Sequence, residues 1–501
     1  MRNASARRPG PRGYPGRGGG RASYVEAPPE WRGTTVQVCG LWPFGVGSGT
    51  PMIGVPVGRH LDNGTTVCCD PISWFQRAQL IHNPSALVLG RPGLGKSTFV
   101  RRLVLGLAGY GVYPLILGDL KPDYVDLIAA MGGQVVKLGR GLGSLNVLDP
   151  GETAAAAARL SGADRDRLLA QAQGRRLNML AALVTILRGG QPPSDHERTI
   201  LSAALRVLDE RHAGVPILPD LIRVLDEGPE EVRRVTLDRG NDERYRAAVD
   251  PLHRSLFGLL DGPMGETFAR HTTTPIRLDS PGGVCIDISG IDEADTDLAA
   301  AALLACWSDG FGAIEAAHAL ADAGLAPQRH FFVVLDELWR VLRAGRGLVD
   351  RVDALTRLNR QRGIGQVMVT HTMDDLLAVA EVADRHKAKG FAERAGMIVC
   401  GGLPEAEMAS LTQVVRLSHK ERRLIVDWST PPSWDPMLNR EAEPPGRGKF
   451  LIKVGSRPGI PVKVELTAAE RDVNDTNKRW RHAAAQEGAA PAGSTAAGVR
   501  A

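Results

Sequence analysis

Gly90-Arg91-Pro92-Gly93-Leu94-Gly95-Lys96-Ser97, with Thr98 directly behind it, is the stretch on which the reading of this chain turns. It fits G-x-x-x-x-G-K-[ST], follows the apolar run Ala86-Leu87-Val88-Leu89 and precedes a helix expected to begin near Ser97. An apolar run without alternation suits a strand buried on both faces. The glycines let the backbone wrap a triphosphate so that its N–H groups converge on the oxygens. The helix N-terminus adds its positive dipole end. In such a loop Lys96 reaches the β- and γ-phosphates, and the Ser97 hydroxyl ligates Mg²⁺. The expected ligands are therefore ATP and Mg²⁺, held by Gly90 to Thr98. The bland alternative, a Gly-rich turn, would produce this string by chance in roughly 2% of chains this long at average residue frequencies. The strand-loop-helix context lowers that further.

Outward from the loop, Tyr113 to Leu117, Val284 to Ile288, Phe331 to Leu335, Gln366 to Val369 and Met397 to Cys400 are similar apolar runs. Strands alternating with helices mark a parallel α/β sheet. The expected fold class is α/β: a RecA-like core with a parallel sheet, an all-helical insertion and a small C-terminal strand-helix extension. In His330-Phe331-Phe332-Val333-Val334-Leu335-Asp336-Glu337, five apolar residues run straight into two acids. Both carboxylates thus emerge at the carboxyl end of a strand, where ligands of open α/β sheets collect. Asp336 is the candidate Mg²⁺ ligand, and Glu337 the candidate base that orients and polarises the attacking water. A helix-capping acid pair is the plainer reading.

The next strand, Gln366-Val367-Met368-Val369, ends on Thr370 and His371. His371 is the candidate sensor of the γ-phosphate, against the alternative of simple strand-end residues. Just upstream lie Arg357, Arg360 and Arg362. An arginine supplied by a neighbouring subunit stabilises charge on a transferring phosphate and is worth ~10³ to 10⁵ in rate. These three are the candidates for that role, each also readable as a solvated helix residue.

Composition divides the chain. Residues 1–30 are a basic Gly/Pro/Arg tail that cannot bury a core and is expected to be disordered. Residues 31–150 hold N-terminal strands and the first half of the core. In 151–275 the strand rhythm gives way to charged helical sequence, with Ser194 and Glu197 offering a capping box. The second half of the core spans 276–430. Pro431, Pro432 and Pro436 then open a C-terminal extension over 431–482, with strands at Lys449–Val454 and Pro461–Leu466 and a helix opened by Thr467. The Ala/Gly-rich residues 483–501 are expected to fray.

The net charge of +5 is smaller than the six arginines carried by the first 21 residues, which contain no acid. The body is therefore close to neutral, which argues against a processive grip on phosphate backbones. The tail itself is open to two readings, a solvated leader or a contact with nucleic acid or acidic lipid. Six cysteines form no CxxC pair, which suits a reducing compartment better than a disulfide framework or zinc site. No stretch approaches 18 apolar residues and no apolar segment follows the basic N-terminus, so neither a transmembrane span nor a signal peptide is expected. The expected place is the cytoplasm, with any membrane association made through partners.

Linked elements in one order resemble the conjugal-transfer ATPases of type IV secretion systems, the TraC-like members of the FtsK/HerA clade. Met52-Ile53-Gly54 is similar to that family's opening segment, and Asp119-Leu120-Lys121-Pro122-Asp123-Tyr124 to its D-x-K-x-E-Y, with Asp123 for Glu. Gly132-Gly133 and Leu145-Asn146-Val147-Leu148-Asp149-Pro150 resemble its G-G and N-P-L-D elements, with Val147 for proline. Leu335-Asp336-Glu337-Leu338-Trp339-Arg340-Val341-Leu342 is close to its L-D-E-A-W-x-L-L. The resemblance covers about residues 50 to 430. His371 departs from it, standing where the family has glutamine, and the region before the loop is shorter than the family's docking domain.

The resemblance implies a ring-shaped ATPase, a homo-hexamer, that energises channel assembly or substrate transfer beside inner-membrane channel or conjugation proteins. A DNA-translocating motor of the FtsK/HerA or TraG coupling-protein type is the second reading, and a DNA contact stays open. A non-catalytic nucleotide-gated scaffold is the third, opposed by Lys96, Asp336 and Glu337.

Overall fold

Strand residues buried on both faces sort themselves by parity, successive side chains entering opposite layers. A computed structural model describes residues 51–345, 348–356, 363–379, 382–435 and 440–473. The tails expected at 1–30 and 483–501 lie outside them.

The chain opens on the antiparallel pair β1 (Pro56–His60) and β2 (Thr66–Cys68), then α1 (Pro71–Gln76), β3 (Ser85–Leu89), α2 (Lys96–Gly109), β4 (Val112–Asp119), α3 (Val125–Ala130) and β5 (Gln134–Lys137). A helical run follows: α4 (Glu152–Arg159), α5 (Gly162–Leu187), α6 (Asp195–Arg211), α7 (Leu218–Glu227), α8 (Glu230–Thr236), α9 (Asp242–Asp261) and α10 (Gly265–Phe268). Then come β6 (Val284–Asp287), α11 (Thr296–Asp322), β7 (His330–Leu335), α12 (Leu338–Arg343), α13 (Leu348–Thr356), β8 (Ile364–Val369), α14 (Met373–Leu377), α15 (Val382–Arg394) and β9 (Met397–Cys400). After α16 (Met408–Thr412) and α17 (His419–Asp427), the two-residue strands β10 (Trp434–Asp435) and β11 (Arg440–Glu441) make a short ribbon. The last elements are β12 (Lys449–Lys453), β13 (Ile460–Val464) and α18 (Ala468–Val473).

Eleven strands form one sheet in the order β2-β1-β13-β12-β9-β3-β8-β7-β4-β6-β5. From β9 to β5 every pairing is parallel. At the other side β12 joins β9 antiparallel, and β13 bridges β12 and β1. The sheet is thus α/β with a parallel centre and an antiparallel flank, and the C-terminal strands are continuous with it.

Leu87, Leu89, Val333 and Leu335 face one layer, with Leu303 and Trp307 of α11. Ala86, Val88, Phe332 and Val334 face the other, with Phe99 and Leu103 of α2. Leu183, Leu201, Leu221 and Leu256 of the helical run belong to the first of these cores, so that run buries its apolar faces on its own subunit. Two bidentate pairs brace it: Arg176 with Asp209 at 2.7 and 2.6 Å, and Arg188 with Glu197 at 3.1 and 2.6 Å. The Ser194–Glu197 capping box forms in both directions, at 2.8 and 3.2 Å. Among the described residues α11 alone has the length and hydropathy to cross a membrane. Its apolar window is 83% buried, as expected of a helix packed in a protein core. Cys68, Cys69, Cys285, Cys306 and Cys400 are free and buried.

One half-buried acid of α11, Asp309, faces Gly151 in the loop that opens the helical run. Burial pushes the Asp309 carboxyl up to about 7, Asp149 and Glu152 adding to the rise and Arg175 opposing it. An unfolded aspartate titrates near ~3.9. Below that value both states hold the proton and nothing is lost. As pH rises through the window from ~4 to 7 the unfolded state ionises first, so stability falls. Asp309→Asn is therefore expected to raise the melting temperature at pH 8 and to leave it nearly unchanged at pH 4. Equal shifts at the two pH values would contradict this account.

Candidate active site

Because β3, β8, β7 and β4 are parallel neighbours, their carboxyl ends share one edge of the sheet. The loop leaving β3 turns through Gly93 (φ +79°) and Gly95 (φ +94°), conformations that side chains resist. Gly95 caps α2 without a side-chain acceptor, and a Cβ added at Gly93 would meet open space. Leu94 is buried beneath this turn, while Arg91 and Pro92 are exposed. Backbone bonds tie the loop to its neighbours, Gly90 N–H donating to the His371 carbonyl and Arg91 N–H to that of Gly402, each at 3.0 Å.

Lys96 points back into this loop. Its ammonium donates to the Gly90 carbonyl at 2.6 Å, to the Arg91 carbonyl at 3.4 Å and to His371 Nδ1 at 2.9 Å. An ammonium has no acceptor, so Nδ1 accepts and the His371 proton sits on Nε2. That nitrogen lies 3.5 Å from Glu337 Oε1. His371 therefore spans Lys96 and Glu337. Thr370 beside it is buried, its hydroxyl without a hydrogen-bond partner among the described residues. Burial lowers the Lys96 ammonium to about 8, with Asp336 and Glu337 pulling it back up.

Asp336 and Glu337 follow β7. Burial raises Asp336 to about 7, the charge of Glu337 adding to the effect. Glu337 takes up a left-handed backbone (φ +52°) as the cap of α12. Its carboxylate accepts from Trp339 Nε1 at 2.6 Å and from Lys121 Nζ at 3.3 Å. Burial pushes the Glu337 carboxyl up, but the bond from His371 and the charges and donors around it outweigh that and hold it at about 2.

The segment after β4 enters the same site, a role that sequence reasoning did not assign to it. Asp119 accepts from the backbone of Asp123 at 3.0 Å and of Tyr124 at 2.7 Å, which folds the segment into a tight turn. Asp123 then accepts from the Ser97 hydroxyl at 2.6 Å, and the Tyr124 hydroxyl donates to Asp336 at 3.1 Å. In sequence, Lys121, Asp123, Tyr124 and Trp339 stand out only through their likeness to family motifs. Arg357, Arg360 and Arg362 lie outside the described residues. Thr98 occupies the first turn of α2.

The donors gathered here fit Mg²⁺ with a triphosphate. Ser97, Asp123 and Asp336 offer hard oxygen atoms and no thiolate or imidazole, the set that Mg²⁺ prefers. Among the described residues no group of three His, Cys, Asp or Glu side chains is placed to hold a metal unaided. A Mg²⁺ here would share its coordination with phosphate oxygens, its usual arrangement in such sites.

No protein-family model matches the chain, and no curated protein matches it in sequence. Among solved structures it superposes on VirB4 of Thermoanaerobacter pseudethanolicus with a TM-score of 0.60 at 18% identity, covering 85% of this chain and 100% of that one. The chain has the VirB4 fold. It is also similar to the plasmid coupling protein TrwB in complex with the non-hydrolysable ATP analogue ADPNP (TM-score 0.49, 16% identity, 78% of this chain and 87% of that one). The VirB4 fold thus brings the loop after β3, the acids after β7 and the turn after β4 to one edge.

Proposed function

We propose that the chain is an ATP-hydrolysing motor of a conjugative or type IV secretion-like transfer system, acting as a ring-shaped oligomer that energises channel assembly or substrate transfer. One observation carries this reading: Lys96, Ser97, Asp336, Glu337 and His371 meet at a single sheet edge, joined there by the Asp119–Tyr124 turn. Gly90 to Thr98 bind the phosphates, with Lys96 on the β- and γ-groups. Ser97 and Asp336 hold Mg²⁺, which when bound neutralises charge on the phosphate oxygens. Glu337 orients and polarises water, Trp339 and Lys121 fix its carboxylate, and His371 relates the γ-phosphate position to it.

Arg357, Arg360 and Arg362 are the candidates to complete a neighbouring site in a homo-hexamer. Residues 31–150 and 276–430 act as the two halves of the ATPase core, 151–275 as its helical insertion and 431–482 as a C-terminal extension. The motor works at the cytoplasmic face of a membrane through channel or conjugation proteins. The likeness to VirB4 and the near-neutral body both support transfer over DNA translocation.

The test is Mg²⁺-dependent ATP hydrolysis at about 150 mM salt, where screening limits reach to ~8 Å, with and without duplex and single-stranded DNA. Hydrolysis changed less than about twofold by DNA is the expected result, because a body with little net positive charge offers few of the phosphate contacts that DNA binding needs. Stimulation of about tenfold or more would assign the chain to the DNA motors instead. Absence of any Mg²⁺-dependent hydrolysis would remove the ATPase reading altogether.

A further inference from the structure

The loop after β3 has two shoulders. One, toward β8 and β7, carries His371, Asp336 and Glu337. The other, toward β9 and β12, is formed by the turn that starts β12, in the sequence Gly446-Arg447-Gly448-Lys449. Gly448 N–H donates to the Leu94 carbonyl at 2.9 Å, so this turn is bonded directly to the phosphate-binding loop. A Cβ built on Gly95 would find the nitrogen of Gly448 at 3.6 Å and its Cα at 3.8 Å. Gly448 itself has φ +69°, a conformation that lets the turn pass this close.

Cations gather on this shoulder. Lys463 of β13 reaches back, its ammonium donating to the Arg447 carbonyl at 2.5 Å and lying 3.6 Å from where a Gly448 Cβ would be. Burial lowers the Lys463 ammonium, and the like charges of Lys449 and Arg447 lower it further against a pull from Glu443. Glu443 approaches Arg447 at 3.8 Å, whereas Lys463 has no carboxylate within ion-pair distance among the described residues. Three cations brought together on a half-buried edge repel one another, and an anion between them removes that repulsion.

A nucleotide entering the loop with its terminal phosphate toward Glu337 must leave it on this opposite shoulder. We propose that Arg447, Gly448, Lys449 and Lys463 form the nucleoside end of the nucleotide site, taking the α-phosphate and ribose of a nucleoside di- or triphosphate. This rests on the ATP-binding reading above and adds a second half to that site, supplied by the C-terminal strands. Arg447 and Lys463 meet the α-phosphate by charge-assisted hydrogen bonds, and the Gly448 backbone lies over the sugar.

The test compares ADP with inorganic pyrophosphate, which lacks the α-phosphate and the nucleoside, by calorimetry on the full chain. Lys463→Met keeps the aliphatic stem that packs beside β12, and Arg447→Met alters an exposed side chain, so a melting curve verifies the fold of each. Each variant is expected to weaken ADP about tenfold, the size of one charged hydrogen bond, and to leave pyrophosphate within about twofold. Lys463→Arg should restore most of the ADP affinity. Lys96→Ala is the control that weakens both ligands. ADP affinity unchanged in both methionine variants, with Lys96→Ala still defective, would overturn the inference and leave the phosphate-loop reading intact. Equal weakening of ADP and pyrophosphate would overturn it too, reducing the cluster to a general field. A wild-type chain that binds neither ligand would remove both readings.

Discussion

Glu337→Gln is expected to keep nucleotide bound and to lose turnover by about 10²- to 10⁴-fold, the usual worth of a positioned general base. The carboxamide matches the carboxylate in shape and can still accept from Trp339 Nε1, now 2.6 Å from Oε2. What it cannot do is draw a proton from water. The contacts that hold Glu337 at about 2 also limit it as a base at rest, since Lys121, His371 and Trp339 all stabilise its charge. On the proposed role its reactivity depends on how far these partners release it when nucleotide binds. Single-turnover hydrolysis beside an equilibrium ADP titration separates the two effects. Near-normal turnover by the Glu337→Gln protein would show that another group activates the water.

Lys96→Ala is expected to act on binding itself, weakening ADP and ATP by about 10- to 100-fold through the loss of hydrogen bonds to a charged group. The ammonium is the cation that the loop closes around, with the Gly90 and Arg91 carbonyls and His371 all turned toward it. Removing it takes away the charge proposed to meet the β- and γ-phosphates and frees the ring that spans to Glu337. Equilibrium titration with a fluorescent ADP analogue reads the change, and the affinity of the Glu337→Gln protein provides the contrast. Equal nucleotide affinity in wild type and Lys96→Ala would dissociate the Gly90–Thr98 loop from phosphate binding.

The parts of this site that are visible in sequence are those whose geometry is local. The loop at Gly90 and the acids at Asp336 are each carried by one strand and the turn that leaves it, so pattern and position coincide. The contributions of Asp123 and Tyr124 are not local. Asp123 meets a hydroxyl 26 residues away and Tyr124 a carboxylate 212 residues away. They do so because β4 lies beside β7, an order imposed by crossovers that a linear reading does not reveal. Trp339 carries a family likeness but no role in sequence, since an indole two residues beyond an acid could as well face solvent or core. The C-terminal strands are visible as strands, yet their alternation does not tell that β12 docks on β9. The charged helical stretch shows the opposite limit. Its apolar positions are legible as amphipathic periodicity, but their partner, the layer beside β3 and β7, is not.

Pairing β1 with β13 has a consequence for how the molecule is made. Gly58 lies opposite Val464 and His60 opposite Val462, so the first described strand is locked by the last. On a ribosome the early strands emerge long before their partner, and β9 likewise waits for β12 with one edge bare. Unpaired edges are templates for wrong partners, and contacts of such sequence separation form slowly because the loop they close is long. Biosynthesis therefore leaves the nascent chain with an open sheet until residue 464 is out. Until then the flank of the sheet is an edge at which wrong pairing is favoured.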